Sequence, residues 1–166
     1  MTATSRAGAL SDAAAIAAIY NEGIDDRVAT FETRHRTLQD IAAWFGTRYP
    51  VVVVEDAGRV VGFASASEYR HRDCYAGIAE FSVYVARDAR GRGYGRVAVQ
   101  GLFAAAIAAG LWKLVSRVFV ENTASRELLK KTGFREVGIY RRHGRLEGRW
   151  RDVVIVEKLL GESADA

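Results

Sequence analysis

The chain has 166 residues, 49% of them hydrophobic, and a formal net charge of +4 at pH 7. This length fits one globular domain, residues 1–166, around a single core. No apolar run reaches the roughly 18 residues of a membrane span, and the N-terminus lacks a basic segment followed by an apolar one, so we expect a cytoplasmic protein with no membrane anchor.

Cysteine usage and charge argue against a disulfide-linked, a metal-binding or a nucleic-acid-binding protein. Cys74 is the only cysteine, so it cannot form an internal disulfide, and no Cys or His stands near it at metal-ligand spacing except His71. We therefore expect no structural metal and interpret Cys74 as a loop thiol. The densest basic cluster, residues 141–151, is interrupted by Glu147 and glycines and is poor in aromatic residues. No nucleic-acid groove is expected there.

The first half of the chain predicts two helices and a β-hairpin. Ser11-Asp12 can cap a helix whose apolar residues recur at spacings of three and four, and Gly23 is expected to end it. The same period predicts a second helix over Leu38–Phe45. After Pro50, the run 51–54 of four valines indicates a strand buried on both faces, and residues 60–67 form its hairpin partner.

A glycine-rich turn is the most distinctive stretch of the sequence. A polar loop, 69–79, leads into a strand over Glu80–Val85, and the turn 90–95 (Arg-Gly-Arg-Gly-Tyr-Gly) then opens an alanine-rich helix over 96–109. Glycines let several backbone N–H groups point into one volume at a helix N-terminus, where an anion such as a phosphate is favoured. A plain strand-to-helix turn can use the same glycines, so the motif alone leaves both interpretations open.

The second half of the chain completes a mixed sheet. The predicted elements are a strand over 113–120, a short helix capped by Asn122 or Thr123 and ending at Lys131 before Gly133, strands over 136–142 and 152–159 joined by a loop, and a frayed tail 161–166. This order predicts an α/β protein with a mixed sheet and helices on both faces. A Rossmann unit is excluded because the glycines follow a series of hairpins, and a P-loop because no Gly-Lys-Ser/Thr is present.

At this point the residues resemble a known family. Arg90-x-x-Gly93-x-Gly95 after a strand, Asn122 after the next strand and Gly133-Phe134 after the next helix are similar to the GCN5-related N-acetyltransferases (GNAT) over nearly the whole chain. The resemblance implies the GNAT fold, a central mixed and mostly antiparallel sheet with helices on both faces, and acetyl-CoA as co-substrate. Its implied cofactor-binding residues are Val83, Val85, Arg90, Gly91, Gly93, Gly95, Arg96 and Asn122.

A narrower resemblance concerns the acceptor. Residues 20–21, 29–33, 80–85 and 148–152 resemble phosphinothricin acetyltransferases, and the stretches 112–117 and 140–143 look most like the arsinothricin N-acetyltransferases. This implies acetylation of the α-amine of a glutamate-like antimetabolite, such as phosphinothricin, arsinothricin, methionine sulfoximine or methionine sulfone, and hence resistance to it. Relatives are commonly homodimers, although the apolar C-terminal strand fits a monomer core as well.

The resemblance implies a catalytic role for Glu80. An α-ammonium must lose a proton before the amine can attack a thioester, and Glu80 stands at the position of the family's catalytic glutamate. The alternative is a strand-edge glutamate that faces solvent or pairs with an arginine. The sequence departs from the family at Leu129, where relatives place a His or Tyr four residues before Gly-Phe, so solvent or another residue must protonate CoA. Tyr84, Tyr140 and His143 are conceivable substitutes.

Substrate-binding residues follow from the same resemblance. Arg72 and Tyr75 match substrate-contacting positions, with an arginine fork suited to a carboxylate, phosphinate or arsinate. Phe31 would close the pocket. Arg72 can equally be a solvated loop cation and Phe31 a core aromatic residue. Arg149 and Trp150 belong to a C-terminal signature that serves either substrate or a dimer contact. Two other functions stay open: acetyl transfer to a different small amine, and a non-catalytic acyl-CoA sensor.

Overall fold

The computed structural model describes residues 2–166, and within them the chain forms one sheet of seven strands in the order β1-β2-β3-β4-β5-β7-β6. The strands are β1 Thr4–Ala7, β2 Val51–Asp56, β3 Arg59–Glu68, β4 Ile78–Val85, β5 Lys113–Phe119, β6 Arg135–Leu146 and β7 Arg149–Leu159. The helices are α1 Ala13–Asp25, α2 Leu38–Ala42, α3 Tyr94–Ala108, α4 Thr123–Lys131 and the single turn α5 Glu162–Asp165. None of the helices within 2–166 has the length and apolarity needed to cross a membrane.

Helices cover both faces of the sheet. On one face, Tyr20 of α1 stacks on Phe63 of β3 and Tyr84 of β4, with ring centroids 6.4 and 5.0 Å apart. On the other face, Phe81 of β4 lies 4.9 Å from Phe134, which in turn contacts Phe103 of α3 at 5.8 Å. All four valines of residues 51–54 are buried, as their β-branched run predicts. The mixed sheet with helices on both faces is therefore confirmed.

The sheet contains a gap that organises the functional site. All neighbouring strands pair antiparallel except β4 and β5, whose parallel ladder consists of Ile78↔Lys113, Ala79↔Leu114 and Glu80↔Val115. Both strands continue beyond this ladder, β4 to Val85 and β5 to Phe119, but no further pairs join them. The two strands therefore separate after Glu80, and the sheet opens on the side of the glycine turn.

Two predicted helix ends were wrong. Helix α1 continues through Gly23 to Asp25, because this glycine makes room for a side chain from the sheet and does not end the helix: a Cβ at Gly23 would lie 2.6 Å from the ring of Tyr84. Helix α2 ends at Ala42, three residues before Phe45, and the chain continues in turns. The backbone N–H of Phe45 donates to the carbonyl of Ala42 at 3.2 Å, which is the shorter turn spacing.

The C-terminal part also differs from the prediction. The expected loop between residues 142 and 152 is instead the end of a long hairpin, in which Glu147 and Gly148 form a two-residue turn with φ of 50° and 76°, a combination typical of type I′. A bulge interrupts the β6–β7 register between Tyr140 and Gly144. The tail is not frayed: it forms α5, and Ser163 Oγ donates to the carbonyl of Trp112 at 2.6 Å.

Candidate active site

A cleft of about 570 Å³ lies beside the end of β4, beyond the point where β4 and β5 stop pairing. All eight residues predicted to bind the cofactor line it, together with residues of α1, α4 and the segment that follows α1. The structure thus brings the glycine turn, the end of β4 and Asn122 to one cleft. The two most distant of the predicted residues, Val83 and Asn122, are 39 positions apart in the sequence.

The end of β4 presents to this cleft backbone groups that no neighbouring strand pairs with. Ala86 N–H donates to the carbonyl of Val61 in β3 at 2.8 Å. Because hydrogen-bonded residues alternate along an antiparallel ladder, the backbone N–H and C=O groups of the even-numbered residues of β4 point toward β3. The backbone N–H and C=O groups of Val83 and Val85 point the opposite way, into the gap that β5 leaves. An extended ligand with amide groups could pair with them as an additional strand would.

The glycine turn places a helix N-terminus at the cleft. Gly91 and Gly93 have φ of 78° and 86°, and Gly93 immediately precedes α3. The first N–H groups of α3 have no intrahelical acceptor, so they are available to an anion. Arg96 and Lys131 line the same cleft, and neither belongs to an ion pair within residues 2–166. Positive charge and free donors together suit the phosphate groups of a nucleotide.

Arg90 has a different position from the one its motif suggests. Its Nη1 lies 2.6 Å from Asp26, and its Nε donates to the carbonyl of Val85 at 3.2 Å. Burial disfavours the ionised Asp26 carboxylate, but hydrogen bonds from Arg87 and Arg90 outweigh burial and lower its pKa. The Arg90 side chain therefore fastens the turn to the end of α1 and to β4, while it still lines the cleft.

Asn122 has a structural role beside its place in the cleft. Its Oδ1 accepts the N–H of Ser125 at 3.2 Å and so caps α4, as the sequence predicts. The residue lines both the cleft and a narrow neck of about 60 Å³ at its inner end. Leu129 of α4 also lines this neck and is 2% exposed. A leucine carries no exchangeable proton, so the neck has no acid at this position.

A second, polar pocket of about 180 Å³ lies beyond the neck. Ser67 and Ser65 of β3 stand directly opposite Glu80 and Ser82 of β4, so a carboxylate and three hydroxyl groups share one face of the sheet. Tyr84, the next residue on that face, lines the cleft, the neck and the pocket. Ala29 also lines all three, so the cleft, the neck and the polar pocket adjoin at Ala29 and Tyr84.

Glu80 forms an ion pair with an arginine that the sequence did not single out. Arg117 Nη2 lies 2.7 Å from Glu80 Oε1, and the two side chains are 47% and 33% exposed. Arg117 Nη1 lies 3.4 Å from Nε2 of His143, which the β6 bulge carries toward β5. The arginine-paired alternative for Glu80 is thus correct as a description of its contact, and Glu80 also lines the polar pocket.

Phe31 lies at the same pocket. Its ring contacts Phe119 edge-on at 4.8 Å, and a Cβ at Gly144 would lie 2.8 Å from the ring. Phe31 is only partly buried, so it packs against the β6–β7 hairpin and lines the pocket at once. The two interpretations of Phe31 are compatible.

Arg72 and Tyr75 are not among the residues that line the polar pocket. The Arg72 guanidinium lies 5.7 Å from the centre of the Tyr75 ring, and Arg72 is exposed. Trp150 is also exposed, and the Arg145 guanidinium lies 4.2 Å from its ring centre. Arg149 and Trp150 occupy the start of β7, away from the pocket lining.

Sequence reasoning missed Arg117 and the serines of the polar pocket. A signal for the serines is present: Phe63, Ser65 and Ser67 alternate along β3, and Glu80, Ser82 and Tyr84 along β4, which is the period of one sheet face. Arg117 has no such signal, because its contact with Glu80 depends on the parallel placement of β4 beside β5.

The chain is similar to known acetyltransferases along its whole length. It is 34% identical to an L-methionine sulfoximine/L-methionine sulfone acetyltransferase of Pseudomonas aeruginosa, with 100% of this chain and 99% of the relative covered. A phosphinothricin N-acetyltransferase of Streptomyces coelicolor is also 34% identical, with 93% and 95% covered.

A solved structure agrees with the fold. The GNAT superfamily phosphinothricin acetyltransferase of Sinorhizobium meliloti, in complex with AcCoA, superposes with a TM-score of 0.91 at 32% identity and covers 100% of this chain and 92% of its own. GNAT acetyltransferases use acetyl-CoA, and the donors and cations of the cleft suit that molecule. The acetyltransferase (GNAT) family matches residues 16–134, and the chain therefore belongs to this family.

Proposed function

We propose that this chain transfers an acetyl group from acetyl-CoA to the α-amine of a small, anionic, glutamate-like amino acid, of the phosphinothricin, arsinothricin or methionine sulfoximine and sulfone kind. One observation carries the proposal: a cleft rich in backbone donors leads through a neck into a polar pocket that contains Glu80. The activities named for the relatives from Pseudomonas aeruginosa and Streptomyces coelicolor support this substrate class.

In this proposal the cleft binds acetyl-CoA, which supplies an activated thioester. The N–H groups at the start of α3, with Arg96 and Lys131, bind its phosphates, and the backbone groups of Val83 and the N–H of Val85 pair with its amide-containing arm, while the Val85 carbonyl accepts from Arg90. Gly91, Gly93 and Gly95 permit close approach of the backbone. Arg90 acts by holding the turn in place, and Asn122 by capping α4 beside the cleft.

Glu80 acts as the base. The α-ammonium gives a proton to Glu80, the neutral amine attacks the thioester carbon, a C–N bond forms, and the C–S bond breaks. The nitrogen of the new amide loses its second proton to solvent, and CoA leaves as a thiolate that takes up a proton from solvent. Phe31 covers the acceptor on the hairpin side. The proposal does not require Arg72 or Tyr75, whose side chains contact each other outside the pocket lining.

The proposal includes a cytoplasmic homodimer, and such an activity would give resistance to these antimetabolites. Acetyl-CoA and free amino acids are cytoplasmic metabolites. Strand β6 is a long sheet edge on which Val137, Ile139 and Tyr140 are 45%, 54% and 54% exposed, and an unpaired apolar edge favours association with a second copy.

The test is CoA thiol release measured with a panel of amines: phosphinothricin, arsinothricin, methionine sulfone and a polyamine. We expect turnover well above hydrolysis with the amino acids and none with the polyamine. Turnover with the polyamine alone would favour a different small-amine acetyltransferase. Tight acetyl-CoA binding with hydrolysis-level rates throughout would favour an acyl-CoA sensor, the function that Leu129 at the neck supports.

A further inference from the structure

We infer that the Glu80–Arg117 ion pair binds the head group of the acceptor: Arg117 takes the α-carboxylate while Glu80 takes the α-ammonium. This inference rests on the proposed function and deepens it, because it assigns the recognition of an α-amino acid, as opposed to a simple amine, to one side chain. Arg117 is thus a specificity-determining residue.

The composition of the polar pocket singles out Arg117. Among the described residues that line the pocket, it is the one cation and Glu80 is the one anion. The remaining lining consists of hydroxyl groups and apolar side chains. A zwitterionic head group that enters this pocket therefore meets one partner of each sign, and both belong to the same ion pair.

The geometry of the pair matches the chemistry of an α-amino acid. An α-amine and an α-carboxylate are attached to the same carbon, so their protein partners must lie close together. Arg117 Nη2 and Glu80 Oε1 are 2.7 Å apart. The head group can exchange with this pair, since each substrate charge replaces the protein charge that it resembles. Exposed pairs such as this one, at 47% and 33% exposure, contribute little to stability and cost little to open.

Arg117 is held so that it can make this exchange. Its backbone lies in β5 and pairs with Ile155 of β7, so the side chain starts from a fixed place across the gap from Glu80. Nη1 lies 3.4 Å from His143 Nε2 at the β6 bulge. A guanidinium has five donors, so contact with His143 leaves donors for a carboxylate in a forked arrangement.

The competing explanation is a purely structural ion pair. It predicts that removal of Arg117 affects every amine alike or none of them. The inference predicts a selective loss that depends on the carboxylate of the acceptor. An uncharged analogue of the same acceptor therefore separates the two explanations.

The experiment compares methionine sulfone with its α-carboxamide as acceptors for the wild-type protein, Arg117→Met and Arg117→Lys. Arg135→Met is the matched control, because Arg135 also pairs with a strand glutamate, Glu157, at 2.6 Å and lies outside the pocket lining. Acetyl-CoA affinity is measured by calorimetry for each protein, so that a misfolded variant is recognised.

We expect the wild-type protein to prefer the acid, and Arg117→Met to raise KM for the acid by about 10- to 100-fold with little change for the amide, as loss of hydrogen bonds to a charged group predicts. Arg117→Lys retains part of the preference, because a lysine keeps the charge without the fork. Arg135→Met keeps the wild-type ratio.

Three results would count against the inference. An unchanged acid-to-amide ratio in Arg117→Met, with acetyl-CoA binding intact, overturns the role of Arg117 alone. A larger loss for the amide than for the acid, again with acetyl-CoA binding intact, would show that Arg117 does not act on the carboxylate and overturns it as well. If the wild-type protein acetylates no amino acid at all, the proposed function fails and the inference fails with it.

Discussion

The ring of Tyr84 lies so close to Gly23 that two of its carbon atoms are 2.6 Å from the place where a Cβ on Gly23 would stand. The same ring stacks on Tyr20 at 5.0 Å and lines the cleft, the neck and the polar pocket. A glycine inside a helix costs about 0.5–1 kcal/mol relative to alanine. In α1 the glycine offsets this cost by leaving room for the ring of Tyr84, which forms part of the wall of the site.

Gly23→Ala should therefore destabilise the protein, although alanine favours helices. Overpacking costs about 1–3 kcal/mol, and the gain in helix propensity is at most about 1 kcal/mol, so we expect a net loss of about 1–2 kcal/mol in the free energy of unfolding. Urea denaturation measures it. Gly138→Ala is the control, since nothing lies within 4 Å of its Cβ position. Equal stability of the two variants would show that the Tyr84 ring moves freely.

Glu80→Gln should reduce kcat for the acceptor by about 10²- to 10⁴-fold, the range for loss of a positioned base, while the affinity for acetyl-CoA changes little. Steady-state kinetics with phosphinothricin and calorimetry with acetyl-CoA measure the two quantities. Glu68→Gln is the matched control: it lies in the neighbouring strand and pairs with His71, at 3.1 Å, outside the pocket lining. Near wild-type turnover of Glu80→Gln between about pH 6 and 9 would remove Glu80 from the mechanism.

Gly93→Ala should weaken acetyl-CoA binding by about 10-fold. Gly93 has a φ of 86°, which is strained for an alanine, so the backbone shifts and displaces the first N–H groups of α3. Calorimetry measures the change. Gly58→Ala separates strain from binding, since Gly58 has a φ of 78° in the β2–β3 turn and is not among the cleft residues. Both variants should lose stability, and only Gly93→Ala should lose affinity. A similar loss of affinity in both would contradict the assignment of the turn.

Asp12→Asn should destabilise the start of α1. Arg6 donates to both carboxylate oxygens of Asp12, at 2.8 and 3.0 Å, and the Asp12 side chain is 9% exposed. These hydrogen bonds hold the pKa of Asp12 below its usual range despite burial. A lowered pKa in the folded state stabilises the protein above about pH 4, and this contribution is lost as the pH falls through the folded-state pKa.

Urea denaturation at several pH values tests whether the contribution of Asp12 to the free energy of unfolding falls as the pH falls. At pH 7 the asparagine variant should lose about 1.5–3 kcal/mol, the range for hydrogen bonds to charged groups, and the difference from wild type should shrink from about pH 5 to about pH 3. Asp88→Asn should show a much smaller trend of the same sign, because Arg59 also lowers the pKa of Asp88 but the pair is exposed and screened by solvent. A difference that stays constant over this pH range would show that the charge of Asp12 is unimportant.

The sequence was sufficient for local patterns and insufficient for contacts across the sheet. The valine run, the glycine turn and the cap at Asn122 each rest on neighbouring residues, and each lies where it was predicted. Gly23 was wrongly predicted to end α1. The glycine is present because its Cβ position is occupied by the ring of Tyr84, a residue distant in the sequence. The β-turn at Glu147-Gly148 was likewise missed, because the whole stretch between residues 142 and 152 was interpreted as a loop.

The residues of the candidate site also fall into those that the sequence predicts and those that only the fold reveals. The cofactor residues were predicted from the glycine motif and from the family resemblance around it, and they line one cleft. Arg72 was selected because it matches a substrate-contacting position of the resembling family, whereas the arginine that contacts Glu80 is Arg117, 37 positions away from it in the sequence. Only the parallel placement of β5 beside β4, over three residue pairs, makes that contact available.

Tyr84→Phe tests which group protonates the leaving thiolate, since Leu129 cannot. Tyr84 lines the neck, but burial raises its pKa, so the phenol is a poor donor to a thiolate, whose usual pKa is about 8.5. We therefore expect kcat to fall by less than about 10-fold, in contrast to the 10²- to 10⁴-fold expected for a positioned acid, and its pH dependence to keep its shape, with solvent as the proton source. Steady-state kinetics between about pH 6 and 9 measures both, and urea denaturation shows whether the fold is retained. A loss of more than about 100-fold in kcat without loss of stability would instead make Tyr84 the acid and would remove solvent from this step.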